Sequence, residues 1–302
     1  MGRLISAMKE RAFKKSFRLF ESLGVHVLPV HFYSPIPDTR LLRKNRGEFE
    51  REQNLLGIDM KEQTQVELMK SICPKYRDEY SKFPLESNGD PNQYCLANGS
   101  YGFASGQMHY CIVRDLKPAR IIEIGSGHST LATLSAVRVN DEETESRTEV
   151  TAIEPYPSHF IDALDGTSIT LIRSKVEDID PVLFETLKSG DLLFIDSSHV
   201  SKFGSDVNFE MFEILPRLAK GVVVHIHDIQ FPFDYYESYI LDEHHFWNEQ
   251  YLVQAFLMYN DSFEIVWCGS YMTARYPDLL AKHFPHFDPA RVPTGLYIRR
   301  IK

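Results

Sequence analysis

Five side chains in the second half of this sequence can move protons or hold a metal ion: Asp196 and His199 in one stretch, and His225, His227 and Asp228 in another. Imidazoles titrate near neutrality and serve as general bases. Two carboxylates and an imidazole also form a mixed oxygen and nitrogen donor set, able to orient a hydroxyl group and lower its pKa. The first group follows the apolar run Asp191 to Ile195 and the second closes the run Gly221 to Ile226, so both belong at strand ends. His225 and His227 share a face of the second strand, and His227 lies nearer the C-terminal edge where ligands bind in such sheets. His227 is therefore the favoured base, with His199 and Asp228 beside it, while His225 is better read as a structural histidine.

A second constellation lies upstream. Ile121-Ile122-Glu123-Ile124 runs into Gly125-Ser126-Gly127-His128-Ser129-Thr130 and then a helical stretch, Leu131 to Val137. Glycines let a ligand approach the backbone, and the following helix N-terminus offers unpaired N–H groups. Thr130 stands where a dinucleotide fingerprint has its third glycine, and Glu123 would repel a pyrophosphate. The same carboxylate suits a cationic ligand group. The next apolar run ends Ile153-Glu154-Pro155, which places a carboxylate where it can accept both hydroxyls of a ribose.

The elements that must position these residues are short β-rich runs alternating with helical stretches from Lys117 onward. Arg120 to Ile124, Val150 to Ile153, Ile169 to Ile172, Asp191 to Ile195 and Gly221 to Ile226 read as strands of a parallel sheet built from βαβ units. Phe263 to Cys268 and Gly295 to Ile301 are two more, joined by a Pro-rich connection without a clear crossover helix, so an antiparallel final pair is expected. Before about residue 105 the texture is helical pieces broken by turns, as at Pro35 and Pro37, with one helix expected over Asp59 to Cys73 and Pro74 as its stop. The expected division is a helical cap or lid over 1–105 and an α/β domain over 106–302. Tyr33 to Asp38 are a candidate lid over the site, and the aromatics between Phe231 and Trp247 a candidate acceptor wall.

Composition narrows the partners. A net charge of −9 argues against a broad nucleic-acid surface. Cys73, Cys95, Cys111 and Cys268 have neither disulfide-framework nor zinc-thiolate spacing, which suits a reducing, cytoplasmic setting. No apolar run approaches the roughly 20 residues of a membrane-spanning helix. Arg3 to Arg18 mixes basic and apolar residues without the continuous apolar core of a secretory signal. The expectation there is an amphipathic helix packed on its own domain.

Taken in order, the glycine turn, Glu154, Ser174-Lys175-Val176-Glu177-Asp178 and Phe194-Ile195-Asp196 resemble the class I S-adenosylmethionine-dependent methyltransferases, in a branch with a helical N-terminal part. The resemblance runs nearly full length and takes in His31 to Asp38, Ile195-Asp196-Ser197-Ser198-His199, Gly204 to Asn208, and His225 to Ile229. It implies an α/β, Rossmann-like fold: a seven-stranded, mostly parallel sheet with an antiparallel last strand and helices on both faces, plus the helical cap. It further implies that Glu123, Gly125, Ser126 and Gly127 surround the methionine part of the cofactor, that Glu154 holds the ribose, and that the backbone near Val176 faces the adenine. Ser129, Pro155 and Asp196 complete the expected cofactor contacts. Lys175 departs from the acidic residue many of these enzymes carry just before the adenine position.

Methyl transfer from a sulfonium is an in-line displacement, so the protein chiefly aligns the partners and adds a base if the acceptor is a hydroxyl. The expected reaction is O-methylation of a small molecule. A divalent metal at Asp196 and Asp228 is the less favoured variant, because Ile229 stands where the metal-dependent pattern has Asn. An NAD-dependent oxidoreductase or epimerase and a non-catalytic nucleoside-binding module are the rival readings. A homodimer is compatible with the sequence.

Overall fold

The computed structural model describes Phe13 and residues 16–302. Seven strands, β1 (Arg120–Ile124), β2 (Glu149–Ile153), β3 (Thr170–Ile172), β4 (Leu192–Ile195), β5 (Val223–Ile226), β6 (Phe263–Cys268) and β7 (Leu296–Arg300), form one sheet. Their order is β3-β2-β1-β4-β5-β7-β6. The first five run parallel, and β7 is antiparallel to both β5 and β6. Every residue of β4 and β5 is buried, as expected of Ile, Leu and Val-rich strands covered on both faces.

Among the described residues, the helices of seven residues or more are α1 (Glu62–Lys75), α2 (Phe103–Leu116), α3 (His128–Thr144), α4 (Glu249–Leu257), α5 (Gly269–Arg275) and α6 (Pro277–His283). The connection from β6 to β7 thus holds two short helices, which its prolines had masked in the sequence. Proline 74 lies inside α1 rather than ending it, because the last turn closes around it through Tyr76 N–H donating to the Ile72 carbonyl at 3.2 Å.

Chain order reverses between β1 and β4: β2 and β3 lie on one side of β1, and β4 and β5 on the other. Such a switch point opens a crevice at the C-terminal strand ends, where α/β proteins bind ligands. Both glycine turn and Asp196 emerge there.

Two compact units are present: residues up to Glu50 with Tyr236–Phe246, and Arg51–Tyr235 with Trp247–Lys302. In the first, Asp38 caps the turn Thr39–Leu42, Arg43 donates to the Leu241 carbonyl at 2.8 Å, and Arg46 pairs with Glu237 at 3.1 Å. In the second, residues 51–116 pack on the sheet. Buried Gln65 accepts from Cys268 N–H at 2.7 Å, and Tyr80 donates to the His283 carbonyl at 2.9 Å. Arg114 of α2 is 1% exposed and ties Glu79 at 2.6 Å to Glu143 of α3, also at 2.6 Å. All four cysteines are buried and free. The expected helix over Arg3 to Arg18 falls mostly outside the described residues, and where description resumes the chain is helical over 16–21 with Leu19 and Leu23 exposed.

Candidate active site

The turn after β1 is shaped by its contact with β4. Gly125 has φ +80°, and a Cβ there would come within 2.0 Å of the Asp196 carbonyl oxygen, so only glycine fits. Its N–H donates to the Ile153 carbonyl at 3.0 Å, while Asp196 N–H donates to the Ile124 carbonyl at 2.9 Å and His227 N–H to the Ile195 carbonyl at 2.9 Å. The ends of β1, β2, β4 and β5 are thereby held together.

Beside them lies a cavity of about 540 Å³ lined by, among others, Gly125, Glu154, Pro155, Val176 and Asp196, a size suited to a small ligand or cofactor. Five of the nine expected cofactor residues thus share one wall. Glu154 accepts from Ser126 N–H at 3.2 Å and Tyr156 N–H at 2.8 Å, so its carboxylate is fixed at the strand tip. Lys175 and Tyr156 line the same space.

The remaining four stand differently. Ser126 and Gly127 are half-buried in the turn, and Ser129 and Glu123 are buried beneath it. Ser129 donates to Glu123 at 2.6 Å. Burial pushes the Glu123 carboxyl up to about 8 against the hydrogen bonds of Ser129 and Thr130, so at neutral pH it is mostly protonated. In this state it braces the turn and offers no anionic charge.

The catalytic candidates converge at the tips of β4 and β5. His199 directs Nε2 toward Asp196 Oδ1 at 3.3 Å and Asp228 Oδ2 at 3.5 Å. Its Nδ1 lies 2.8 Å from Glu249 Oε2 at the first turn of α4. Burial disfavours the charged ring, but hydrogen bonds to Asp196 and Glu249, with their charges, hold its pKa well above the ordinary histidine value. Asp196 is half-buried, and although desolvation works against its charged form, the His227 and His199 rings keep its pKa below the usual value. Asp228 accepts from Thr294 at 2.8 Å. His199 and Asp228 both adopt left-handed backbone, φ 59° and 54°, a conformation that concentrates at functional sites.

His227 lies over the other side of Asp228, with Nε2 at 3.7 Å from Oδ1. Its ring packs 5.0 Å from Tyr101, and its Nδ1 is buried with no hydrogen-bond partner among the described residues. His225 is wholly buried and stacked on Phe194 at 4.1 Å, where burial and then the His227 and His109 charges keep it neutral, in keeping with a structural place. His128 points to Ser100 at 2.9 Å.

Two residues here carry no local signal in the sequence, Glu249, fifty positions after His199, and Tyr101, whereas Trp247, one of the aromatics expected to line the acceptor wall, has its ring 4.6 Å from that histidine. Of the aromatics proposed as a pocket wall, Phe231 and Tyr235 are buried core.

Asp196, His199 and Asp228 each offer one ligand atom, all within 4.8 Å of one another. Two carboxylates and an imidazole suit a divalent cation by donor type.

A family described as a methyltransferase domain matches residues 122–229, which span the glycine turn through Asp228. A protein of Archaeoglobus fulgidus described as uncharacterized is 32% identical over 168 residues, covering 53% of this chain and 73% of that protein. Among solved structures, the S-adenosylhomocysteine-bound methyltransferase PaMTH1 of Podospora anserina is 18% identical, with 92% of this chain and 100% of that one covered at a TM-score of 0.41. The apo structure of CmcI-N160 is 18% identical, with 74% and 84% covered at a TM-score of 0.39. Over residues 122–229 the chain thus matches a methyltransferase domain, carried on the seven-stranded sheet described above.

Proposed function

We propose that this protein transfers the methyl group of S-adenosylmethionine to a hydroxyl of a small-molecule acceptor, with His199 receiving the hydroxyl proton. The observation that carries this reading is the grip on His199. Glu249 anchors Nδ1, which fixes the ring's orientation and leaves Nε2 facing the carboxylates at the two strand ends. Glu154, Pro155 and Val176 hold the nucleoside, and Gly125 to Gly127 approach the methionine part. Asp228 holds the acceptor beside Nε2. His227, which strand position alone favours as base, shapes the acceptor wall with Tyr101.

The same triad supports a divalent metal more strongly than Ile229 suggests, because three donors of suitable type converge. Asp196, Asp228 and His199 would hold the ion, which when bound supplies Lewis acidity to an acceptor oxygen. His199 then serves as a ligand instead of a base. The four free cysteines support a cytoplasmic setting.

Titration calorimetry of the protein with S-adenosylmethionine, S-adenosylhomocysteine and NAD tests the reading. Both sulfur nucleosides are expected to bind, and Glu154→Ala to weaken them at least roughly tenfold, the scale of losing one charge-assisted hydrogen bond. Binding of NAD alone would reassign the pocket to a hydride-transfer enzyme.

A further inference from the structure

Asp196, His199 and Asp228 leave the ends of two adjacent strands, β4 and β5, and two of the three are fixed from behind. Thr294 donates to Asp228 Oδ1 at 2.8 Å, so Oδ2 is the oxygen that faces His199. Glu249, 2% exposed at the start of α4, holds His199 Nδ1 at 2.8 Å, so Nε2 faces both aspartates, at 3.3 and 3.5 Å. An ion bonded at about 2.1 Å to two neighbouring donors sets those donors about 3.0–3.4 Å apart. The two observed separations suit one shared cation.

Which cation follows from the donor types. Mg²⁺ and Ca²⁺ take oxygen ligands, and Mg²⁺ keeps much of its water. Imidazole suits the first-row transition ions, and their affinity for a mixed site rises from Mn²⁺ to Co²⁺. Ile229, next to Asp228, is wholly buried and has no donor in its side chain, so the third ligand of this cluster is the imidazole. A carboxylate bonded to the far nitrogen of a ligating histidine fixes its tautomer and raises its basicity, and Glu249 stands in that place. The Trp247 ring, 4.6 Å from His199, adds an apolar cover that limits water around the ring.

We propose that this site selects a first-row transition ion such as Mn²⁺ or Co²⁺ over Mg²⁺, with His199 Nε2 as a direct ligand and Glu249 as the positioning residue behind it. The proposal rests on the metal-holding reading of the triad and adds the kind of ion the triad takes.

Calorimetric titration of the metal-free full chain with Mg²⁺, Mn²⁺ and Co²⁺ salts tests it, together with electron spin-echo spectroscopy of the Mn²⁺-loaded chain. Affinity is expected to rise in the order Mg²⁺, Mn²⁺, Co²⁺, with Co²⁺ at least roughly tenfold tighter than Mg²⁺. The Mn²⁺ signal should carry modulation from a directly bound nitrogen nucleus, and His199→Gln should abolish it. Glu249→Gln should lower Co²⁺ affinity roughly tenfold to a hundredfold, the usual effect of weakening a ligand's hydrogen-bond partner. Mg²⁺, held by the aspartates, should be little affected by that variant, which a collapsed site would not allow. Mg²⁺ binding as tight as Co²⁺, or a Mn²⁺ signal without nitrogen modulation in the unsubstituted chain, would overturn the proposal and leave a metal on the aspartates standing. Unchanged Co²⁺ affinity in Glu249→Gln would overturn the role given to Glu249. Binding of none of the three ions would remove the metal reading itself, and the proposal with it.

Discussion

At the scale of single residues, the central fact is a histidine held by three carboxylates. Its raised pKa has a sign: the pairing stabilises the folded chain fully below the unfolded histidine value of about 6.5, and this contribution disappears as pH rises through the folded value. We expect metal-free protein to lose melting temperature as pH is taken upward from neutrality, and Glu249→Gln, which removes one of the groups raising that pKa, to flatten the loss. Thermal melts across pH 6 to 9 decide this; equal slopes in both proteins would dissociate Glu249 from the histidine's charge. The same sign bears on catalysis. A base must be neutral, so turnover through His199 should rise toward alkaline pH. Asp196, His199 and Asp228 were legible in the sequence because each follows a strand. Glu249 was not, since a partner supplied by a distant helix leaves no periodic trace. Glu123 was legible as an acid, but burial makes it a neutral brace.

At the scale of elements, positions were readable wherever hydrophobic period dominated. All seven strands stand where the apolar runs place them, two of them with the expected bounds and the rest with an end moved by at most two residues. The helix after the glycine turn extends to Thr144, beyond the apolar stretch ending at Val137, because its outer turns are polar and solvated. Proline was the poorest guide: it suggested a stop in α1 and concealed α5 and α6. The contact between α2 and α3 rests on Arg114, whose guanidinium reaches Glu79, Asn140 and Glu143 from a buried stem. Arg114→Met should cost about 2–3 kcal/mol, because Glu79 and Asn140 would lose a charged partner in a partly or wholly closed place. Urea unfolding would measure it; a change below about 0.5 kcal/mol, the usual range for surface substitutions, would show that the clamp is redundant.

At the scale of the whole molecule, the sequence showed an α/β sheet preceded by helices. The compact units instead divide at Glu50, with Tyr236–Phe246 grouped with the N-terminal residues. Composition cannot reveal such a grouping, because a segment inserted between two sheet elements looks like any other loop. Helix α1 is similarly ambiguous: its apolar stripe marks a buried face without saying what buries it, and the answer is α2 and β6.

The buried cysteines turn this architecture into its own reporter. Cys73 lies on α1, Cys111 on α2, Cys268 at the end of β6, and Cys95 in the loop before α2, so every thiol belongs to the sheet-bearing unit. Burial pushes the Cys268 thiol up to about 12 and raises those of Cys95 and Cys111 as well. A thiol-specific reagent at mildly alkaline pH should therefore leave the native chain almost untouched and modify it only as fast as the unit opens. Mass spectrometry of the labelled peptides would date each opening separately. Cys95, on a loop, should be modified first, and Cys73, Cys111 and Cys268 should follow together if helices and sheet separate in one step.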